Sequence, residues 1–166
     1  MANRAIHYEA AFEALLRDRG TPYVAVDEAK KALFADSKLK SFDFVGYSSG
    51  GPNLLIDVKG RQVRSANGKP QSPQTWVTVR DVEDLAAWEQ VFGGGYVGLI
   101  AFCYWIDEPP APGGHHFRFK DRWYETHGIR LSDYRNHMKL RSAKWQTVSI
   151  PTSDFRQLAR PINDWL

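Results

Sequence analysis

The sequence predicts a single α/β domain, residues 1–166, whose core runs in the order helix, three strands, helix, strand. A chain of 166 residues is long enough for one domain with a hydrophobic core and too short for two of usual size. Apolar residues recur at helical spacing in residues 5–19 and 81–92. The apolar run at residues 96–106 lacks alternation, as in a central strand covered on both faces. These observations favour a sheet packed against helices.

The N-terminal part predicts an amphipathic helix followed by a hairpin. The helix covers residues 5–19, ends near Gly20, and carries an apolar stripe formed by Tyr8, Phe12, Leu15 and Leu16. Residues 23–26 and 41–47 predict strands, separated by a polar stretch with no clear structural signal. A turn at residues 48–53 should join the second strand to the third as a hairpin.

The third strand, residues 53–61, carries a carboxylate and an ammonium in an otherwise apolar run. Because side chains alternate along a strand, Asp57 and Lys59 should point to one face while Ile56 and Val58 point to the other. Burial of a charge is costly unless the charge is paired or bound to a metal. Taken alone, the two residues favour a structural ion pair over catalysis.

Two further acids make this strand a candidate site. Asp43 follows Phe42 near the start of the second strand, and the hairpin should bring its carboxylate to the same end of the sheet as Asp57. On the first helix, Glu9 lies beside the apolar stripe and should point inward. Glu13 is rotated further from the stripe, which favours a solvated face.

The second half predicts one more core helix and strand, then an elaboration. Asp81 is expected to cap the helix of residues 81–92, which ends at three glycines, and Cys103 is expected to be a small core residue of the following strand. The remaining expected elements are a hairpin at 117–124 turning at Lys120 and Asp121, a helix at 132–140 capped by Ser132, a strand at 147–150 and a helix at 153–158.

The order of these elements and acids resembles the PD-(D/E)XK nuclease superfamily, most closely the archaeal Holliday junction resolvases. The similarity covers about residues 5–106, with about residues 115–166 as a C-terminal elaboration that has no counterpart in the pattern. It rests on Glu9, Asp43 and the segment Ile56-Asp57-Val58-Lys59. The string at residues 7–13 is also similar to the signature of the uncharacterised HYExAFE family.

The resemblance implies a restriction-endonuclease-like αβββαβ core with a mixed central sheet flanked by helices. It further implies a DNA endonuclease that uses Mg²⁺ or Mn²⁺, with branched DNA as one substrate and a homodimer as one assembly. In that family pattern Asp43 and Asp57 bind the metal, and the Val58 carbonyl and Glu9 complete its shell directly or through water. Lys59 orients the attacking water or stabilises the developing negative charge.

Other function classes have weaker support in the sequence. There is no HExxH or GxSxG pattern, so a zinc protease and a serine hydrolase are disfavoured. A nuclease fold kept as an inactive DNA-binding or protein-interaction module is the alternative. The net charge of +3 permits a polyanionic partner without requiring one. No secretory signal or membrane-spanning segment is visible, and a single cysteine suits the cytoplasm.

Overall fold

A computed structural model describes residues 4–26, 39–66, 69–107 and 112–166; most of the polar stretch at 27–40 therefore lies outside the described residues. The helices are α1 (Arg4–Asp18), α2 (Val79–Phe92), α3 (Leu131–His137) and α4 (Thr152–Leu158). The strands are β1 (Tyr23–Ala25), β2 (Phe44–Gly46), β3 (Asn53–Val63), β4 (Ser65–Ala66), β5 (Lys69–Pro70), β6 (Val77–Thr78), β7 (Tyr96–Ile106), β8 (His116–Phe119), β9 (Arg122–Arg130), β10 (Lys139–Ser142), β11 (Thr147–Ser149) and β12 (Arg160–Pro161). Among the described helices, none is both long and apolar enough to cross a membrane.

The described residues form a mixed seven-stranded main sheet in the order β1-β2-β3-β7-β9-β12, with β8 paired to β9. Strands β3 and β7 are parallel along their whole length, while the other pairs of this sheet are antiparallel. The parallel pair is joined by α2, as such a crossover requires. The C-terminal elaboration therefore contributes β8, β9 and β12 to the sheet, although the sequence pattern ended the core near residue 106.

One face of the sheet packs against α1. Tyr8, Phe12 and Leu16 of the helix share a buried cluster with Ile56 and Val58 of β3. The helix lies so close to the strand that a Cβ atom on Gly60 would come within 2.1 Å of the Tyr8 Cδ2 atom. Glycine at this position is therefore a requirement of packing rather than of backbone conformation.

The other face packs against α2, α3 and α4 around a second buried cluster. Leu55 of β3 and Ile100 and Phe102 of β7 meet Leu85 of α2 and Tyr134 of α3 there. The expected alternation along β3 is confirmed, because Leu55 lies in this cluster and Ile56 in the α1 cluster. Cys103 is buried on the α1 side, as expected of a small core residue.

Two predicted helix starts are wrong. Helix α2 is capped by Thr78, while Asp81 is its third residue and closes a reciprocal capping box with Thr78. Helix α3 begins after Arg130, so Ser132 lies inside it and is not its cap. The same helix ends at His137, and residues 139–142 form β10 instead, because they pair with β11. Pairing with a neighbouring strand here overrides the local helical pattern.

Candidate functional site

Asp43 and Asp57 lie side by side at one end of the β2–β3 hairpin. Phe44 pairs with Ile56, and the Asp43 N–H donates to the Ile56 carbonyl at 2.9 Å, which places Asp43 next to Asp57 across the strands. The Asp43 carboxylate turns along β3 and accepts a hydrogen bond from the Val58 N–H at 2.7 Å. The expected meeting of the two acids at one end of the hairpin agrees with this register.

Lys59 joins Asp57 to a third carboxylate that sequence reasoning missed. Its Nζ atom lies 3.1 Å from Asp57 Oδ2 and 3.2 Å from Asp81 Oδ1. Asp81 also forms an ion pair with Lys40. Asp57 and Asp81 are buried, and only 15% of the Lys59 side chain is exposed. A partly buried chain of alternating charges thus runs from β3 to the first turn of α2.

For Asp81, the sequence carries a signal for the start of a helix but none for the contact with Lys59. The spacing of Thr78 and Asp81 matches a capping box, in which the third helical residue turns back to the cap. That pattern predicts the start of α2, but it carries no information about Lys59. Only the packing of α2 on β3 brings the Asp81 carboxylate to the lysine.

The electrostatics of the two central acids are unfavourable for negative charge. Burial raises the pKa of the Asp43 carboxyl to about 8, and repulsion by Asp57 and Glu9 adds to this effect. Burial also raises the pKa of Asp57, and Asp81 repels it further, although Lys59 opposes the shift. These two carboxyl groups therefore lie where additional positive charge would be strongly stabilising.

The other two charged groups of the site keep their charge. Burial alone would lower the pKa of Lys59, but attraction by Asp57 and Asp81 outweighs it and raises that pKa above its ordinary value. Burial alone would raise the pKa of Asp81, but Lys59, Lys40 and Thr78 together lower it to about 2. Lys59 is thus an ammonium near neutral pH, which suits charge stabilisation and excludes a role as the general base.

The two glutamates of α1 occupy different settings. Glu9 is half-buried, and its charge contributes to the raised pKa of Asp43, so it acts on the same site. Glu13 accepts hydrogen bonds from Arg17 at 3.1 Å and from the Tyr23 hydroxyl at 2.8 Å. Glu13 therefore has a local structural role, whereas Glu9 lies within electrostatic reach of the acids.

Several basic residues near this end have partners within the protein. Arg61 is half-buried, donates to the Trp76 carbonyl at 2.6 Å, and lies over the Trp76 ring at 4.0 Å. Arg80 pairs with Asp84 at 3.2 Å. Arg61 is held in the structure and is a poor candidate for a phosphate contact.

The donor set of the site suits a hard divalent cation. Carboxylate oxygens are ligands that Mg²⁺ prefers, and a cation between Asp43 and Asp57 would counter the burial and the carboxylate repulsion that together raise the pKa of Asp43. In the part of the chain that the structure describes, no group of three or more His, Cys, Asp or Glu side chains is arranged as a metal site. The fit to Mg²⁺ therefore rests on the pair Asp43 and Asp57.

Comparisons with known proteins address the fold. No protein-family model and no curated protein sequence matches the chain, so the resemblance to the HYExAFE family gains no support. Among solved structures, the chain is similar to Hjc, a Holliday junction resolvase from the archaeal hyperthermophile Archaeoglobus fulgidus. The TM-score is 0.58 at 15% sequence identity, and the match covers 96% of this chain and 98% of that one.

This likeness confirms the predicted fold class, a mixed α/β fold with a mixed central sheet flanked by helices, as in the Hjc nuclease. It also corrects one expectation. The region from His115 onward was thought to have no counterpart, but a match over 96% of the chain includes most of it. Strand β9, which pairs with β7 in the centre of the sheet, belongs to that region.

Proposed function

We propose that the protein is a metal-dependent nuclease that hydrolyses DNA phosphodiester bonds, with branched DNA of the Holliday-junction type as its first candidate substrate. The observation that carries the proposal is the pair of the half-buried Asp43 and the buried Asp57, with the Lys59 ammonium 3.1 Å from Asp57. The similarity of the fold to a resolvase supports the choice of DNA and of a branched substrate.

The acids supply the cation site in this proposal. Asp43 and Asp57 would hold Mg²⁺, or Mn²⁺ in its place, and the Val58 carbonyl and Glu9 would contribute directly or through water. Bound there, Mg²⁺ supplies positive charge to the phosphoryl oxygens and activates water as the nucleophile. The Val58 N–H already orients the Asp43 carboxylate by a hydrogen bond of 2.7 Å, which leaves its second oxygen for other ligands.

Lys59 supplies a second positive charge beside the acids. A compact ammonium can orient a water or stabilise the negative charge that develops on phosphate oxygens. Asp81 is a positioning residue, because its carboxylate lies 3.2 Å from the Lys59 Nζ atom and keeps the lysine charged. In this proposal the protein acts in the reducing cytoplasm, which suits a chain whose single cysteine forms no internal disulfide.

Cleavage assays on labelled DNA test the proposal. Wild-type protein is incubated with a four-way junction, a linear duplex and a single strand, with Mg²⁺, Mn²⁺ or EDTA. We expect cleavage to require the metal. Asp57→Asn and Lys59→Gln should each reduce the cleavage rate by about 100-fold or more, in the range found for removal of one charge-stabilising group. Asp121→Asn is the matched control, because Asp121 lies in the exposed turn between β8 and β9.

Each outcome has a clear meaning. Cleavage that is unchanged in both Asp57→Asn and Lys59→Gln contradicts the assignment of the site. Absence of both cleavage and metal binding in wild-type protein that still binds DNA supports the alternative, an inactive nuclease-fold module. Preference for the four-way junction over the linear duplex is required for the resolvase-like part of the proposal, and size-exclusion chromatography with light scattering tests the expected homodimer.

A further inference from the structure

We propose that the β10–β11 hairpin, residues 139–149, is a nucleic-acid contact that stacks an unpaired base on Trp145 and binds the neighbouring phosphates through basic side chains. The inference rests on the proposed function for its biological setting, but it concerns a surface that contributes no residue to the acidic site. The basic side chains are Lys139, Arg141 and Lys144.

Trp145, near the tip of this hairpin, is presented to solvent. Its exposed fraction is 69%, and Leu140 on the same hairpin is 68% exposed. The Lys144 Nζ atom lies 5.3 Å from the centroid of the Trp145 ring. An exposed indole offers a flat surface on which any unpaired base can stack, and such stacking does not depend on base identity.

The hairpin carries positive charge only. Residues 139–149 contain three basic and no acidic residues. Within the described part of the chain, none of the three basic side chains forms a salt bridge, in contrast to Lys40, Lys59 and Arg80. Exposed cations without acidic partners next to an exposed aromatic ring match the chemistry of a single-stranded phosphate backbone with its bases.

The tip of the hairpin is held by hydrogen bonds rather than left free. The Trp145 N–H donates to the Ser142 Oγ atom at 3.2 Å, and Gln146 adopts a positive φ of 50° that completes the turn. The Val79 N–H donates to the Gln146 carbonyl at 2.9 Å. A turn whose backbone is already ordered loses little conformational entropy when a base stacks on its aromatic side chain.

The same contacts connect the hairpin to the candidate site. Strand β11 pairs with β6, with Thr147 opposite Thr78 and Val148 opposite Val77. Thr78 caps α2, and Asp81 in the first turn of that helix contacts Lys59. The hairpin is therefore built on the segment that carries Asp81. A nucleic-acid strand bound to the hairpin would lie at a fixed position relative to the acids.

The charges around the hairpin also indicate which side contacts the backbone. The groove between the hairpin and α2 is lined by Leu140 together with Arg80 and the acids Glu83 and Asp84. Arg80 pairs with Asp84, so the lining carries no excess positive charge, which disfavours phosphate there. Arg141 instead lies over the Trp76 ring, 5.2 Å from its centroid. Phosphates are therefore expected at the tip and along the face of Lys139 and Arg141, opposite the groove.

Fluorescence anisotropy tests this inference without any cleavage. The probes are a fluorescein-labelled single-stranded 20-mer and the blunt duplex of the same sequence, titrated in EDTA. We expect Trp145→Ala to raise the Kd for the single strand by about 5-fold to 150-fold, the range for loss of one stacked base. Trp145→Phe should restore most of the affinity. Lys144→Ala should lower the slope of log K against log salt by about 0.7 on the single strand.

The β8–β9 hairpin provides a matched control. Its turn carries Lys120, an exposed lysine whose Nζ atom lies 5.4 Å from the centroid of the Phe119 ring. Lys120→Ala should leave the Kd and the salt slope unchanged. Because Trp145 and Lys144 are exposed, their variants should keep the wild-type circular dichroism spectrum. If Trp145→Ala changes the spectrum, the comparison of affinities is made with Trp145→Phe, which keeps an aromatic ring at this position.

Four results would overturn the inference. The first three are absence of nucleic-acid binding by wild-type protein, equal affinities of wild type and Trp145→Ala for the single strand, and a Lys120→Ala effect as large as that of Lys144→Ala. Loss of self-association in Trp145→Ala with unchanged oligonucleotide binding would also overturn it and identify the hairpin as an interface between copies. If Asp57→Asn binds DNA but does not cleave it, that result concerns the acidic site alone. A failure of the hairpin proposal can therefore be told apart from a failure of the proposed function.

Discussion

Replacement of Asp43 by asparagine should change how the stability of the protein depends on pH. In the folded protein the pKa of Asp43 is raised to about 8, mainly by burial and further by Asp57 and Glu9, from an ordinary value of 3.8. The folded state therefore holds a proton at Asp43 that the unfolded state has released. Stability from this proton is fully present below about pH 4 and is lost as the pH rises through about 8.

The size of the effect follows from the two pKa values. Linkage over the interval from about pH 5 to about pH 8 gives a loss of about 3 to 4 kcal/mol in the free energy of unfolding of the wild type. Asp43→Asn removes this loss, because asparagine does not titrate, while its side-chain oxygen can still accept the hydrogen bond of the Val58 N–H. The difference in stability between the two proteins should therefore depend on pH.

Urea unfolding followed by tryptophan fluorescence measures this difference at four pH values in EDTA. Asp121→Asn is the control, since Asp121 has a positive φ of 61°, a conformation that asparagine also tolerates, and lies in an exposed turn. Parallel pH profiles for wild type and Asp43→Asn would refute the reasoning. Addition of Mg²⁺ should stabilise the wild type most at high pH, where the metal no longer competes with the proton.

Three further predictions concern the surroundings of the site. Gly60→Ala should destabilise the protein by about 1 to 3 kcal/mol or more in urea unfolding, because the added Cβ atom would meet the Tyr8 ring at 2.1 Å. Gly50→Ala, with open space around the added Cβ atom, should have a much smaller effect, and equal effects would contradict the packing argument. Asp81→Asn should lower the free energy of unfolding by about 2 kcal/mol at neutral pH, since the folded pKa of Asp81, about 2, lies below its ordinary value of 3.8. The stability from the charged carboxylate is present above about pH 4 and is lost as the pH falls through about 2. An equally large difference between wild type and variant near pH 2 would contradict this. Mg²⁺ binding at pH 7 should release about one proton from Asp43, as calorimetry in buffers of different ionisation enthalpy would show, and binding without proton release would argue against Asp43 as a ligand.

The sequence predicted the placement of side chains correctly where the signal was local. The alternation along β3 separates Ile56 from Asp57, and the short turn after β2 sets the register that brings Asp43 beside Asp57. The roles of Glu9 and the Val58 carbonyl as metal ligands stay predictions. The suggestion that Asp57 and Lys59 form an ion pair is confirmed by their distance of 3.1 Å, and this pairing is compatible with catalysis.

Prediction failed where the outcome depended on a partner far away in the chain. Asp81 looked like a simple helix cap, yet it forms ion pairs with Lys59 and Lys40. Residues 139 and 140 were expected to end a helix, but they belong to β10, which pairs with β11, and that hairpin leaves Trp145 exposed. Neither result follows from spacing, because an aromatic residue next to basic residues is equally compatible with a core and with a surface.

By itself, the sequence determined the order of the core elements and which side chains share a face of β3, because helix and strand periodicity are properties of the local backbone. The tertiary structure alone decided which charges meet: Asp81 reaches Lys59 because α2 packs on β3, and the C-terminal strands enter the main sheet because β9 pairs with β7. Such contacts depend on how whole elements pack, since the energy of a buried charge is set by its neighbours in space rather than in sequence.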